Sequence, residues 1–323
     1  MQSLDRAWAL TVTVLGCILA GIIGCQTAKF HCTDGEVILF STIGKSFFRD
    51  SVCGVCPDGT QYRVLLPPET NRSFISVQGY SLDSPVVVTV HELAQNNKTE
   101  DHLAFFDVNN SELHPVPKLP GEQGAAAISP DGSRIAYELK ADAAIPLRMA
   151  VTDINRGKTD LVASQTGELD RLPTWSPDSN EIMFIKLQKG DGHYPILASL
   201  MRTSNPFNIP VTIFGSDDLI GSCAYSPDGR QFAIWSRNGL ELVERSNLSR
   251  RTILPTASLD GRRPGTAGLI WSRKSNTIAF TLFNTQTSAS ELWTIRSDGS
   301  AFRLIRSTTD TTIYVGSFAA ERK

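Results

Sequence analysis

No sign of charge dominates this chain. Its 31 basic and 33 acidic residues leave a formal charge of −2, which excludes a global pull toward nucleic acid or anionic lipid. Histidine is scarce: His31, His91, His102, His114 and His193 are scattered along 323 residues. "HELAQ" at 91–95 begins like a zinc helix, but Gln95 stands where the second histidine belongs, and a loop is the better reading. There is no G-x-S-x-G elbow and no glycine-rich phosphate loop; "GKS" at 44–46 lacks the upstream glycine of a P-loop. These absences leave no catalytic constellation, and the sequence predicts no cofactor, no metal and no catalytic residue.

One uncharged run stands out, "AWALTVTVLGCILAGIIG" at 7–24. Such a run is a secretory signal or a membrane anchor. It ends in "IIGC", an aliphatic pair and a glycine before Cys25. That pattern resembles the bacterial lipobox, in which the small residue admits the peptidase and the cysteine thiol takes the lipid. Residues 1–25 are therefore read as a lipoprotein signal and 26–323 as the mature domain, anchored at Cys25. An uncleaved anchor helix and an ordinary cleaved signal are the alternatives. All three place the domain outside the cytoplasm.

The remainder is 41% hydrophobic and 20% charged overall, as in a folded globular protein. It is also repetitive. Asp34, Asp83, Asp131, Asp178, Asp228 and Lys274 occupy one column at intervals of 49, 48, 47, 50 and 46. Four, five and six places on, the columns read Ile38, Val87, Ile135, Ile182, Phe232, Ile278; Leu39, Val88, Ala136, Met183, Ala233, Ala279; and Phe40, Thr89, Tyr137, Phe184, Ile234, Phe280. Apolar residues at consecutive strand positions mean burial on both faces.

The best copies carry "SPD" in front, at 129–131, 176–178 and 226–228. Proline presets φ for a type I turn, aspartate bonds back to the backbone, and a following glycine accepts positive φ. Tyr80, Trp175, Tyr225 and Trp271 end the strand before the turn. These aspartates are turn formers rather than catalysts. A second polar turn, near Asp58 and Asp298, lies 24 residues after the first. Each repeat is then a four-stranded antiparallel sheet, and the expected fold is an all-β, six-bladed β-propeller. A last strand, Tyr314–Phe318, is expected to complete the first blade.

Copies of "WSPDG…IAF…LW…DGS…RLI" resemble the repeats of the TolB-type propellers of bacterial envelopes over about residues 30–320. Trp175–Asp178, Tyr225–Gly229 and Ser297–Ser300 are the nearest matches. The sequence leaves no room for a separate α/β domain ahead of the propeller, such as TolB itself carries. The resemblance implies the fold; propellers of this kind serve as periplasmic scaffolds, in peptidases and in lyases.

Of the cysteines, Cys53-Gly-Val-Cys56 has redox-pair spacing but lies on a strand, where i and i+3 face opposite ways. A disulfide that uses Cys32, Cys53 or Cys56 suits an oxidising compartment. Cys223 reads as a small buried apolar residue.

In a propeller, the loops leading from each outer strand to the next inner strand gather at one mouth of the channel. Here they bring Asp170, Arg171, Asp217, Asp218, Arg262 and Arg263 toward one place. A mixed-charge mouth suits a protein or peptide partner rather than nucleic acid. The expectation is a non-catalytic binding scaffold of the cell envelope, facing periplasm or exterior and attached to the membrane by its lipid. The alternative is a lyase or hydrolase of an extracellular polymer, working at the channel mouth. The anchor has a direct test: labelled palmitate should enter the wild-type chain and be absent from Cys25→Ser, and label persisting in the variant would place the acyl group elsewhere.

Overall fold

The computed structural model describes residues 29–44, 49–79, 86–93, 98–108, 110, 112–116, 119–140, 147–162, 168–188, 197–204, 210–214, 219–274 and 276–321. His31–Lys323 form one compact unit, and Met1–Phe30 another. Cys25 and the anchor run lie outside the described residues.

Among the described residues, the compact unit holds six four-stranded antiparallel sheets. Five are built from consecutive strands. Sheet 1 is not: its order is Thr311–Ala320, Glu36–Gly44, Ser51–Val55, Arg63–Leu66, so the C-terminal strand lies first. The first strands of the others are Arg72–Gln78, Glu122–Ile128, Glu168–Trp175, Leu219–Tyr225 and Arg262–Trp271. Each first strand neighbours the first strand of the next sheet, and Thr311–Ala320 lies between the last and the second. These six are the inner strands around a central axis.

The three apolar columns of the sequence fall on the second strand of each sheet. Every one of those 18 side chains is buried, none more than 2% exposed. A second strand is covered by the neighbouring sheets on both faces, which is why it tolerates no alternation. The clusters between sheets follow: Trp235 meets Phe280 edge to face at 5.3 Å between sheets 5 and 6, and Phe40, Cys53, Ala279 and Leu292 pack between sheets 6 and 1.

The "SPD" turns share one hydrogen-bond pattern. Ser129, Ser176 and Ser226 donate through Oγ to Oδ1 of Asp131, Asp178 and Asp228, at 2.6, 2.5 and 2.7 Å. The same serine oxygens accept from the N–H of Arg134, Glu181 and Gln231, where the next strand starts. Gly132 and Gly229 exit with φ of 72° and 68°. In the middle copy Ser179 takes that conformation at φ 61°. Its hydroxyl accepts from Asp131 N at 3.1 Å and its carbonyl from Arg134 at 2.7 Å, contacts with the neighbouring sheet that offset the backbone strain.

Sheet 6 has Lys274 in the aspartate column, and its turn is completed from elsewhere. Glu36, at the start of sheet 1 and fully buried, accepts from Ser272 Oγ, from Arg273 N at 3.1 Å and from Lys274 N at 3.3 Å. A carboxylate from the first sheet thus does for the last turn what its own aspartate does elsewhere. Around this seam Lys274 Nζ donates to Gly35 O at 2.9 Å, Glu321 N donates to the same carbonyl at 2.9 Å, and a Cys32–Cys56 disulfide ties the chain ahead of sheet 1 to its second hairpin. Closing a 24-residue separation by a disulfide contributes about 3 kcal/mol in the chain-entropy account.

If Glu36 stands in for the missing aspartate, Glu36→Ala should cost about 2 kcal/mol, the range for charge-assisted hydrogen bonds. Adding Lys274→Asp should return most of that loss in a denaturant melt. A double variant no more stable than Glu36→Ala would show that the two carboxylates are not equivalent.

Candidate functional site

Every inner strand carries a register irregularity against its neighbour, at Phe74/Ser76, Gln123/Ala126, Arg171/Thr174, Leu219/Cys223, Pro264/Leu269 and opposite Leu39/Phe40. Bulges at one level of every inner strand shape an axial channel. Two cavities lie along it. One of about 240 Å³ is lined by residues of all six inner strands, among them Ile75, Ala125, Leu172, Cys223, Leu269 and Val315. The other, of about 270 Å³, opens on the side of the "SPD" turns and shares Gln78, Thr174, Leu269, Ile270 and Gly316 with the first.

The turn-side mouth has a distinct chemistry. Pro130, Pro177 and Pro227 of the three turns line it, with Trp175, Tyr225, Trp271 and Phe318. Arg273 occupies the corresponding place in the fourth turn. The aromatic rings are held in place. Trp175 Nε1 donates to Ala127 O at 2.9 Å with the Arg134 guanidinium 5.3 Å over the ring. Tyr225 donates its hydroxyl to Glu181, which also pairs with Arg245 at 3.2 Å and Arg202 at 3.4 Å. Burial and the nearby Glu181 carboxylate push the Tyr225 phenol well above its ordinary pKa, so it remains neutral. Trp271 is 8% exposed, and its indole Nε1 is buried with no hydrogen-bond partner among the described residues. The rings are nearly buried, none more than 8% exposed, and Gln78, Ser226, Arg273 and Ser317 bring polar groups to the mouth.

At the opposite end the predicted residues are placed as follows. Asp170 and Arg171 lie inside the inner strand Glu168–Trp175, and Arg262 and Arg263 begin the inner strand Arg262–Trp271; all four belong to strands rather than loops. Asp170 is fully buried, with Lys186 Nζ at 3.1 Å from Oδ1. Arg171, 46% exposed, sits 3.3 Å from buried Glu138 and lines the axial cavity. Burial raises the Glu138 pKa more than Arg171 lowers it. Arg262 pairs with Glu291 at 2.7 Å and lies over the Trp293 ring at 5.2 Å. Burial works to raise the Glu291 pKa, but hydrogen bonds from Arg262, Asn284 and Trp293 prevail and lower it. Arg263 lies over Phe283 at 4.9 Å. Asp217 and Asp218 lie outside the described residues. Each placed residue thus has its own partner within the fold.

His91, expected in a loop, lies on the strand Val86–Leu93. Its hairpin continues past the point where the sequence pattern fades, with His91 opposite Asp101 and Glu92 opposite Glu100. His91 Nδ1 lies 2.5 Å from Asp101, which also takes Lys140 at 2.7 Å from the neighbouring sheet. Gln95 lies outside the described residues. Cys53 is on the strand Ser51–Val55, buried and reduced, while its neighbour Cys56 bonds Cys32. Cys223 is buried and reduced. The turn-side mouth is the element that sequence reasoning passed over. Its signal was the column before the aspartates, where three prolines give way to Arg273.

No family model matches this chain, and no curated protein matches it. Solved structures do. TolB from Acinetobacter baumannii superposes with a TM-score of 0.62 at 14% identity, over 89% of this chain and 67% of that one. The fold is a TolB-like β-propeller. A chain of a nidogen/laminin complex matches the TolB-like propeller at TM-score 0.62 and 10% identity, over 88% of this chain and 98% of its own. An oligogalacturonate lyase in complex with manganese matches at 0.53 and 13%, over 86% and 75%. Binding proteins and enzymes thus share this TolB-like framework.

The turn aspartates have a pH signature. Asp178 is lowered from its ordinary pKa, first by the Ser176 hydroxyl and then by backbone and side chain of Asn180, against the opposing effect of burial. A folded-state pKa below the unfolded one means stability present above the ordinary carboxylate range and lost as pH falls through the folded value. Asp178→Ala should therefore cost about 1 kcal/mol at pH 7, the worth of a local hydrogen bond. The deficit should shrink at pH 3; one that stays constant would mean that the charged form adds nothing to the turn.

Proposed function

We propose that this TolB-like propeller is a six-bladed, non-catalytic scaffold of the bacterial cell envelope that binds a protein or peptide at a channel mouth. It is held to the membrane by a lipid at Cys25 and faces the periplasm or exterior. The six sheets whose inner strands follow one another around the axis support the blade count. The Cys32–Cys56 disulfide fits an oxidising compartment.

The observation that carries the binding reading is the turn-side mouth. It is a cavity of about 270 Å³ walled by prolines and packed aromatics, with Arg273 at its rim. Fixed rings lose little entropy on contact, and arginine and aromatic residues dominate binding energy at protein interfaces. The opposite mouth, with Asp170, Arg171, Arg262 and Arg263, is the competing surface, and the sequence expectation adds Asp217 and Asp218 to it; Asp170 is buried there, and Arg171 and Arg262 are engaged in ion pairs.

Capture of envelope proteins by three variants separates the two mouths. Arg273→Ala keeps the backbone N–H that Glu36 accepts, and should lower affinity by about 2 kcal/mol, roughly 30-fold. The pair Asp217→Ala with Asp218→Ala should bind as wild type, and so should Asp178→Ala at a temperature where it is folded. Full capture by Arg273→Ala together with loss in the Asp217/Asp218 pair would move the site to the other face. Turnover of an acidic polysaccharide by the purified protein would replace the scaffold with a lyase or hydrolase.

A further inference from the structure

The inner cavity of about 240 Å³ stands apart from the partner-binding mouth in its chemistry. Its wall is predominantly apolar and includes Ile75, Leu172, Leu269, Ile270 and Val315. Two wall hydroxyls are engaged: Ser41 Oγ donates to Ile75 O at 2.6 Å, and Ser76 Oγ shares a 2.6 Å hydrogen bond with Thr89. Among the described residues Arg171 is the one charged group in the wall, and Glu138 at 3.3 Å balances it.

Side openings are closed where inner strands touch backbone to backbone. A Cβ on Gly316 would fall 1.8 Å from Val77 O, and one on Gly268 would fall 2.7 Å from Val315 N and O. Water in a buried site needs two to four polar partners. Apolar cavities without them stay dry; one of about 150 Å³ takes up benzene. This cavity is larger and opens to solvent beside the half-exposed Arg171; Gln78, Thr174, Ser222 and Tyr314 also border it, but apolar wall predominates.

We propose that the axial cavity binds a neutral, apolar small molecule of about the size of one aromatic ring. An anion is disfavoured, because it would lose its hydration without gaining an unbalanced positive charge. The cavity also carries its own reporter. Cys223 borders the cavity and belongs to the core cluster with Ile185, Tyr225 and Ile234, 3% exposed and reduced, whereas Cys53, also buried and reduced, lies in sheet 1 against the Tyr62 hydroxyl at 3.4 Å.

The test uses benzene as probe on the full chain, with maleimide labelling of each cysteine followed by peptide mass spectrometry. Saturating benzene should slow labelling of Cys223 at least fivefold and leave Cys53 unchanged. Benzoate at the same concentration should do neither. Ala125→Leu and Ser222→Val, each of which fills the cavity from its wall, should abolish the protection. The wild-type comparison of Cys223 with Cys53 decides the matter should either variant fold poorly. Equal rates with and without benzene, equal slowing of both thiols, protection by benzoate, or protection surviving in a folded, filled variant would each overturn the assignment.

Discussion

Nine residues of the strand Glu36–Gly44 pair with the C-terminal strand Thr311–Ala320, and the remainder of the architecture depends on that pairing. An inner strand without this partner would leave sheet 1 with an open edge of unpaired N–H and C=O groups. It would also remove Val315 and Phe318 from the cluster between the first and last sheets. Every inner strand leans on two neighbours around the axis, so a gap at one seam weakens contacts beyond it. The axial cavities, the bulges that shape them and the turn-side mouth all exist because the circle is complete.

The seam is reinforced by a different chemistry from the three "SPD" turns. In the three "SPD" turns the serine bonds an aspartate two residues away, a contact available as soon as the local chain folds. At the seam the equivalent carboxylate is Glu36, separated from Ser272 by 236 positions. That bond forms only when both ends of the domain have met. A local interaction has been exchanged for one of long sequence separation, with its loop-closure cost, at the junction where chain connectivity gives no help.

Much of the fold was legible because each repeat says the same thing. Periodicity of consecutive apolar residues and the "SPD" turn chemistry set the second strands, and both depend on residue type alone. The extra C-terminal strand was legible by the same period. The site was harder to read. Asp170 and Arg262 look like loop charges in sequence because they flank glycine and proline, but the inner strands begin earlier than the turn residues suggest, and the charges are engaged by Lys186 and Glu291. Arg273 was visible as a break in the proline column, yet only assembly of four turns around one mouth gives that break a neighbourhood. The Cys32–Cys56 pairing was equally closed to the sequence, since three nearby cysteines permit three pairings and only strand register chooses among them.

The disulfide also determines how the domain bears load. Cys32 lies four residues ahead of sheet 1, and its partner Cys56 follows the strand Ser51–Val55 of the same sheet. A pull on the chain ahead of Cys32 therefore reaches a covalent bond before it reaches the hydrogen bonds of Glu36–Gly44. The force is shared between two strands and passes into the sheet rather than peeling its edge. A domain tethered from that end could be tugged, sheared or dragged without its ring being unzipped from the seam.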